Sequence, residues 1–307
     1  MSAHAETRPT SESTSECLVT HQEQVYIEAS EPEAAELLED EMDDSDEDSA
    51  IETIETNSTA SLTSSRVLDV GTGSGLWAIE FADEYPHTHV VGTDISPVQP
   101  EWVPPNLDFQ IDDCTKDWTW DDNYFDFVHL RGLTGSIKHW PDLFSQVYRH
   151  TKPGGLVESH EASFRIRSDY NNIEPEGALA EMGDIFEEAG NKTGCKFNVA
   201  DNNTQRESME KAGFVIIRDE KLIMPIGEWS DDPKLKKTGE KALEAFTHDL
   251  GGYMLYVMTQ VLKRDYDAAQ VFLVGVRKEL RQDSMRLYVE HHVVVGQKPK
   301  SESGPSV

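Results

Sequence analysis

The chain has 307 residues, enough for one sizeable α/β domain with extensions, and 58 acidic against 27 basic residues give it a net charge of −31. Nucleic-acid phosphates are bound by clustered lysine and arginine, so this balance argues against direct nucleic-acid binding. The first residues have no secretory apolar core, and no apolar run approaches the roughly 20 residues of a membrane span. We therefore expect a protein that is neither secreted nor membrane-bound.

Residues 1–65 hold eighteen of the acidic residues and a single basic one, Arg8, with few large apolar side chains. Such a segment buries too little surface to offset the entropy lost on ordering. We predict a disordered acidic tail here, a folded domain over 66–299, and a second disordered tail over 300–307.

From residue 66, predicted strands alternate with predicted helices, which is typical of an α/β domain with a largely parallel sheet. The strands are predicted at 66–70, 89–94, 107–112, 125–130, 156–159, from 213 onward, and 287–295. The helices are predicted at 76–84, 141–150, 177–189, 203–212, 233–263 and 266–281. Pro153-Gly154-Gly155 is predicted as a turn, and Gly251-Gly252 as a candidate break. The segment 228–284 is then a helical insertion between strands six and seven.

The first predicted strand runs into Gly71-Thr72-Gly73-Ser74-Gly75 and then into a helix. Glycines let the backbone approach a ligand closely, and a helix N-terminus offers free N–H groups. This pattern predicts a nucleotide-type site at the carboxyl end of a parallel strand. The dinucleotide fingerprint needs a third glycine where this chain has Leu76, which disfavours a nicotinamide-dependent oxidoreductase.

Gly-x-Gly-x-Gly with Asp69 two positions before it resembles class I S-adenosylmethionine (SAM) methyltransferases. A closer resemblance extends over most of the chain after residue 65. The segments 81–86, 92–106, 131–140 and 229–298 are similar to the fungal LaeA-like methyltransferases, which are regulators and enzymes of secondary metabolism. The resemblance implies a Rossmann-like sheet of seven strands, mostly parallel with the last antiparallel, and helices on both faces.

The resemblance also implies SAM as cofactor. Asp94, at the end of strand two and 19 positions beyond Gly75, is predicted to accept the ribose hydroxyls, with a turn residue as the alternative. Asp113 is predicted to take the adenine amine, with a solvated loop as the alternative. Trp118 or Trp120 is a candidate cover for the adenine, with core or rim packing as the alternative. For Asp69 a structural role is the alternative. The full predicted cofactor set is Asp69, Gly71, Thr72, Gly73, Gly75, Asp94, Ile95, Asp113, Cys114 and Arg131.

His129 lies at the end of strand four, where the methyl group is expected. Methyl transfer needs alignment of donor and acceptor and sometimes removal of a proton. His129 is therefore predicted as a general base, with a hydrogen-bonded structural histidine as the alternative. The sequence has no spacing typical of metal ligands, so we expect no metal.

Members of this family carry a helical region before the first strand that closes over SAM, and we predict that this chain lacks it. A lid excludes water, so its loss predicts weaker SAM binding and reduced turnover. The leading hypothesis is a SAM-dependent methyltransferase acting on a protein side chain or a secondary metabolite. The alternative is a weak or inactive regulator that works by protein–protein contacts. Velvet-type partners in the nucleus fit a regulator, and a cytoplasmic location fits a metabolite enzyme.

Overall fold

A computed structural model describes residues 65–300. The strands are β1 (Arg66–Val70), β2 (His89–Asp94), β3 (Leu107–Ile111), β4 (Phe125–Arg131), β5 (Thr151–Ala162), β6 (Arg167–Ser168), β7 (Val215–Pro225) and β8 (Leu287–Gln297). The helices are α1 (Leu76–Glu84), α2 (Trp140–His150), α3 (Ala178–Thr193), α4 (Thr204–Ala212), α5 (Pro233–Tyr256) and α6 (Tyr266–Leu280). A π-helical turn, Val257–Val261, continues α5, and a 3₁₀ turn, Asp283–Met285, precedes β8.

The strands form one sheet in the order β3-β2-β1-β4-β5-β8, with β7 on the far side of β8 and β6 beside the start of β8. The first five of these strands pair in parallel, and β8 runs antiparallel to β5, β6 and β7. The predicted fold class is therefore confirmed. The strand count of seven is corrected to eight within residues 65–300, because the two-residue β6 is too short to leave a sequence pattern.

Alternate residues of the central strands pack on opposite faces, as the pleat requires. Val67 and Phe127 face one side together with Ala78 and Phe81 of α1. The intervening residues join a second cluster with α2 and α4 on the other side. A third cluster lies between α3, α5, α6 and the start of β8. Helices thus cover both faces, leaving the carboxyl edge of the parallel strands for ligands.

Two predicted local features differ from the structure. The Pro153-Gly154-Gly155 turn lies inside β5, because the amide of Gly154 and the carbonyl of Gly155 both pair with Lys298 after β8. Helix α5 runs through Gly251 and Gly252 and ends at Tyr256, where the chain continues as a π-helix. The turn signal at residues 153–155 was overridden by pairing with a residue that is distant in sequence.

Asn106 fixes β3 against the end of α1. Its side-chain amide lies 3.0 to 3.2 Å from the carbonyl oxygens of Ala82, Tyr85 and Thr88. These carbonyls terminate α1 and begin the approach to β2, so one side chain satisfies groups that the helix end leaves unpaired. The helix that follows the glycine turn is thereby anchored at its far end.

The predicted acidic tail, the predicted lack of a helical region before the first strand and all but the first residue of the predicted tail over 300–307 concern residues outside those that the structure describes. The domain boundaries therefore stay predictions. Among the helices between residues 65 and 300, none combines the length and apolar character that crossing a membrane requires.

Candidate functional site

The glycine turn, residues 71–75, lies at the carboxyl end of β1 and differs in its surroundings from one glycine to the next. A Cβ atom at position 71 would lie 2.4 Å from Cδ2 of Leu133, and one at position 75 would lie 2.2 Å from Cζ of Phe109. At Gly73, with φ at +58°, a Cβ would meet no atom within 4 Å. Gly71 and Gly75 thus make room for the protein's own side chains, whereas Gly73 borders open space.

Helix α1 begins directly after the turn, with Gly75 as its N-cap. This N-cap forms no side-chain hydrogen bond to the first helical turn. A helix N-terminus favours a negatively charged group, so the start of α1 suits an acceptor at the carboxyl edge of the sheet.

Asp69 lies beneath the turn and links it to β4. Its side chain is almost fully buried, and Oδ2 accepts a hydrogen bond of 2.6 Å from Thr72 Oγ1 while Oδ1 accepts one of 2.8 Å from Nδ1 of His129. The indole of Trp77 stacks on the imidazole of His129 with the ring centroids 3.8 Å apart. His129 itself is 2% exposed. One ring nitrogen and one ring face of His129 are therefore occupied by the protein.

Asp94, at the end of β2, binds the turn from the other side. Its Oδ2 accepts a hydrogen bond of 2.9 Å from the amide of Gly73, and its Oδ1 accepts one of 3.0 Å from the amide of Ser96. Gln99 completes this contact, because its amide nitrogen lies 2.6 Å from the carbonyl oxygen of Gly73 and 2.9 Å from that of Ser96. Both backbone groups of Gly73 are thus held. Ile95 directly follows Asp94 and is half-buried.

The end of β3 forms a tight acidic turn. Oδ1 of Asp113 accepts hydrogen bonds from the amide and the hydroxyl of Thr115, and the carboxyl of Asp112 accepts the amide of Asp113. Burial raises the pKa of the Cys114 thiol to about 12, and Asp113, Asp94 and Asp112 add to the rise. The thiol is therefore protonated at neutral pH.

Both candidate adenine covers pack against the core. Nε1 of Trp118 donates to the carbonyl of Cys114 over 3.1 Å, and its side chain is buried. The ring of Trp120 meets those of Trp118 and Phe125 edge to face. These contacts favour core packing over a role in covering adenine.

The loop after β4 closes the remaining side of the turn. Arg131 is exposed at the end of β4, and Leu133 fills the space beside Gly71. The loop is held by Glu161 of β5, which is fully buried and accepts the amides of Leu133 and Thr134 over 3.1 and 2.8 Å. Burial raises the pKa of Glu161 to about 7, against the lowering effect of its hydrogen bonds.

Two histidines meet beside Arg131 on β5 and β8. Nε2 of His160 lies 2.9 Å from Nδ1 of His291, and the backbone of His160 is paired with Arg131 across the strands. Burial lowers the pKa of His160 to about 3, and His291 and Arg131 lower it further. His160 is therefore neutral at physiological pH.

Direct contacts connect Asp69, Thr72, Gly73 and Asp94 of the predicted set, and Leu133 brings the β4 loop to Gly71. The end of β3 joins them through the amide of Asp112, which donates to the carbonyl of Asp94 over 2.9 Å. Sequence reasoning missed Trp77, Gln99 and Glu161. Trp77 follows the glycine turn by two residues, so its position in the sequence could have indicated a role at the site. The sequence around Gln99 and Glu161 has no feature that indicates such a role.

Two further observations concern metal ligands and a nearby surface depression. Across residues 65–300, no group of three or more histidine, cysteine or acidic side chains is placed to hold a metal ion. A surface depression of about 350 Å³ lies between the β3–β4 loop and α2. It shares only Cys114 with the predicted cofactor set, so it is separate from the glycine turn.

Comparison with known proteins gives matches over this part of the chain. The methyltransferase domain family matches residues 42–218, which include each predicted site residue. The methyltransferase pytC of Aspergillus terreus is 34% identical over 234 residues, covering 76% of this chain and 71% of pytC. The secondary metabolism regulator LAE1 of Cochliobolus heterostrophus is 32% identical over 238 residues, covering 76% of this chain and 77% of LAE1.

Among solved structures, the [4+2]-cyclase SpnF is similar with a TM-score of 0.50 and 19% identity. The likeness covers 82% of this chain and 81% of SpnF. At this level of identity it concerns the fold alone.

Proposed function

This chain belongs to the LaeA-like group of class I methyltransferases, whose methyl donor is S-adenosylmethionine, and on that premise we propose that the glycine turn is its SAM site. The acceptor of the methyl group is proposed to be a protein side chain or a secondary metabolite. The observation that carries the proposal is made at Gly73. Open space adjoins its backbone, while its N–H is bound by Asp94 and its carbonyl oxygen by Gln99.

The residues of the turn fit the chemistry of SAM. Gly73 leaves room for the amino-acid end, and the N-terminus of α1 favours its carboxylate. Each oxygen of Asp94 accepts one backbone N–H, and a carboxylate oxygen has a further lone pair to offer a ribose hydroxyl. The end of β3, with Asp113 and Cys114, is proposed for the adenine.

When bound, SAM supplies an electrophilic methyl group on its sulfonium. The task of this chain is to hold a rigid cradle, because alignment lowers the barrier to an in-line substitution. Asp69 serves that task by tying Thr72 of the turn to β4. Arg131, exposed at the end of β4, is proposed to face the ligand with its cationic group.

For His129 we favour a positioning role over the predicted base. Its Nδ1 donates to Asp69, its ring lies under Trp77, and little of it reaches solvent. A base must contact the proton that it removes, directly or through one water. The contacts of His129 instead support the carboxylate under the turn.

The acceptor side is proposed to involve α5 and α6, within the predicted insertion. These helices pack with α3 and the start of β8, next to the strand that carries His291. Acceptor pockets are built from variable segments, so the fold does not fix the acceptor. If the acceptor is a protein, we propose a velvet-type regulatory partner and a nuclear location.

A second candidate function is a regulator with little methyl transfer. LAE1 is named a regulator, and SpnF carries a similar fold while being named a cyclase. A fold of this class therefore does not by itself require methyl transfer. Incubation with labelled SAM, followed by measurement of label on the chain and on added partners, discriminates the two candidates.

The proposed SAM site is tested by calorimetry on the parent chain, an Asp94→Ala variant and an Asp108→Ala control. Asp108 is a mostly exposed carboxylate on the neighbouring β3, paired with His89. We expect the parent to bind SAM, Asp94→Ala to bind at least about tenfold more weakly, and the control to bind like the parent. Equal affinity in all three folded proteins would overturn the assignment of Asp94.

A further inference from the structure

Glu161 is a fully buried carboxyl group at the end of β5 whose hydrogen bonds come from two consecutive residues. The amide of Leu133 donates to Oε1 over 3.1 Å, and the amide and hydroxyl of Thr134 donate to Oε2 over 2.8 Å each. Burying a carboxyl group is costly unless it is hydrogen-bonded. The loop and the carboxyl group therefore stabilise each other, and neither keeps this geometry alone.

The loop is shaped to present these donors. Gly132 and Gly135 flank Leu133 and Thr134, with φ of +69° and +84°. Successive N–H groups in a turn of this kind form a concave binding site for an anion. In this chain the carboxyl group of Glu161 occupies that concave site.

The loop carries the effect of Glu161 to the glycine turn. Cδ2 of Leu133 would lie 2.4 Å from a Cβ at Gly71, so the leucine side chain packs directly on the first glycine. Two backbone hydrogen bonds also tie the loop to its surroundings. The amide of Gly132 donates to the carbonyl oxygen of His160, and the amide of Gly135 donates to the carbonyl oxygen of Lys196. A shift of Leu133 would change the packing beneath the turn.

We propose that Glu161 is a positioning residue for the cofactor site, which holds Leu133 against the first glycine of the turn and so sets the affinity for SAM. This inference rests on the proposed function of the glycine turn. It assigns to β5 a part in cofactor binding that acts through the loop and needs no contact with the ligand.

The matched control is Glu279 on α6. Its carboxylate also accepts two consecutive backbone amides, those of Ala178 and Leu179 at the start of α3, over 2.8 and 3.0 Å. Glu279 belongs to the helical part of the chain and does not contact the β4 loop. Glu279 is half-buried and Glu161 fully buried, so their effects on stability can differ in size, but a purely structural role for Glu161 predicts that neither substitution changes the SAM affinity of the folded protein.

The experiment compares Glu161→Gln with Glu279→Gln. Each substitution places an amide NH₂ where a backbone N–H needs an acceptor, so both are expected to lower the denaturant midpoint. Glu161→Gln is expected to raise the calorimetric Kd for SAM at least about tenfold, and Glu279→Gln to change it less than about twofold. Thr134→Val, which removes one of the three hydrogen bonds and keeps both amides, is expected to give a smaller loss.

A second readout does not depend on SAM. In ¹⁵N–¹H spectra of the unliganded chain, the amide signals of Gly71 and Gly73 are expected to shift in Glu161→Gln and to stay in Glu279→Gln. Unmoved signals in Glu161→Gln, or equal SAM affinity in both variants, would overturn the inference. If the parent chain binds no SAM while the signals shift as expected, the proposed function fails and the positioning of the turn by Glu161 stands.

Discussion

At the scale of single residues, the two aspartates at the carboxyl edge are held in different ways. Asp69 is 3% exposed, and its oxygens are bonded to Thr72 and His129. Asp94 is half-buried, and each of its oxygens accepts one backbone N–H. Asp94 is therefore both anchored and accessible, whereas the oxygens of Asp69 are already bonded within the protein. For Asp94 the spacing from the glycines predicts a cofactor contact, whereas for Asp69 only the family resemblance implies one.

His129→Ala tests the difference between support and proton transfer. Removing the imidazole leaves a cavity under Trp77 and an unpaired oxygen on Asp69, so we expect the free energy of unfolding to fall by about 2–4 kcal/mol and SAM binding to weaken. Urea unfolding and calorimetry measure the two effects. A general base would leave SAM affinity intact.

His139→Ala is the control, since that side chain is 62% exposed and bonded only locally to Asp142. It is expected to change neither quantity. A folded His129→Ala protein with parental SAM affinity would contradict the positioning role.

At the scale of elements, the turn and helix after β1 act as one unit held at both ends. Gln99 and Asp94 fix the turn at Gly73, and Asn106 fixes the far end of α1. The residues of the β2–β3 connection therefore position the helix that follows β1. The sequence pattern located β1, α1, β2 and β3 but offered no sign of these cross-links, which form between side chains and backbone groups far apart in the chain.

Gly73→Ala is expected to reduce mainly the affinity for SAM, and Gly75→Ala mainly the stability of the fold. Both positions have positive φ, which costs about 1–2 kcal/mol for a residue with a side chain. At Gly75 the new methyl also collides with Phe109, so the larger loss of stability, about 3 kcal/mol or more in total, is expected there. At Gly73 the methyl enters the open space, so the larger loss of SAM affinity is expected there.

Thermal unfolding and calorimetry on both variants check this pair. A Gly73→Ala protein that binds SAM like the parent would show that the ligand does not approach this backbone. A Gly75→Ala protein as stable as Gly73→Ala would contradict the packing of Phe109.

At the scale of the whole molecule, two buried groups give opposite pH dependences. Burial raises the pKa of Glu161 to about 7, so between about pH 4.5 and 7 the folded chain binds this proton more tightly than the unfolded chain. This group makes the free energy of unfolding fall as pH rises. Burial lowers the pKa of His160 to about 3, so between about pH 3 and 6.5 it makes the free energy of unfolding rise with pH.

Single substitutions separate these contributions. In the parent, Glu161 is expected to lower the free energy of unfolding by up to about 3 kcal/mol between pH 5 and 7.5, and this contribution is expected to be absent in Glu161→Gln. His160 is expected to raise the free energy of unfolding by up to about 2 kcal/mol between pH 5 and 6.5, and this contribution is expected to be absent in His160→Gln. Urea unfolding at several pH values within this range measures both. Parallel stability curves for the parent and Glu161→Gln would contradict a raised pKa at Glu161.

The sequence by itself determined the α/β class, the long strands and helices, and the glycine turn. These follow from local patterns: alternating burial in strands, helical periodicity, and glycines between a strand and a helix. It also indicated the family, which the comparisons confirmed, because long motifs such as 92–106 are contiguous.

Only the tertiary structure decided which residues that are distant in sequence contact each other. The pairing of His129 with Asp69, the hold of Gln99 on Gly73 and the grip of Glu161 on the β4 loop each join residues at least 26 positions apart. The two-residue β6 and the extension of β5 through Pro153 likewise depend on β8 and the residue after it, near the end of the described chain. Such contacts arise when strands and loops that are distant in sequence pack side by side, and no local pattern encodes which side chains then meet.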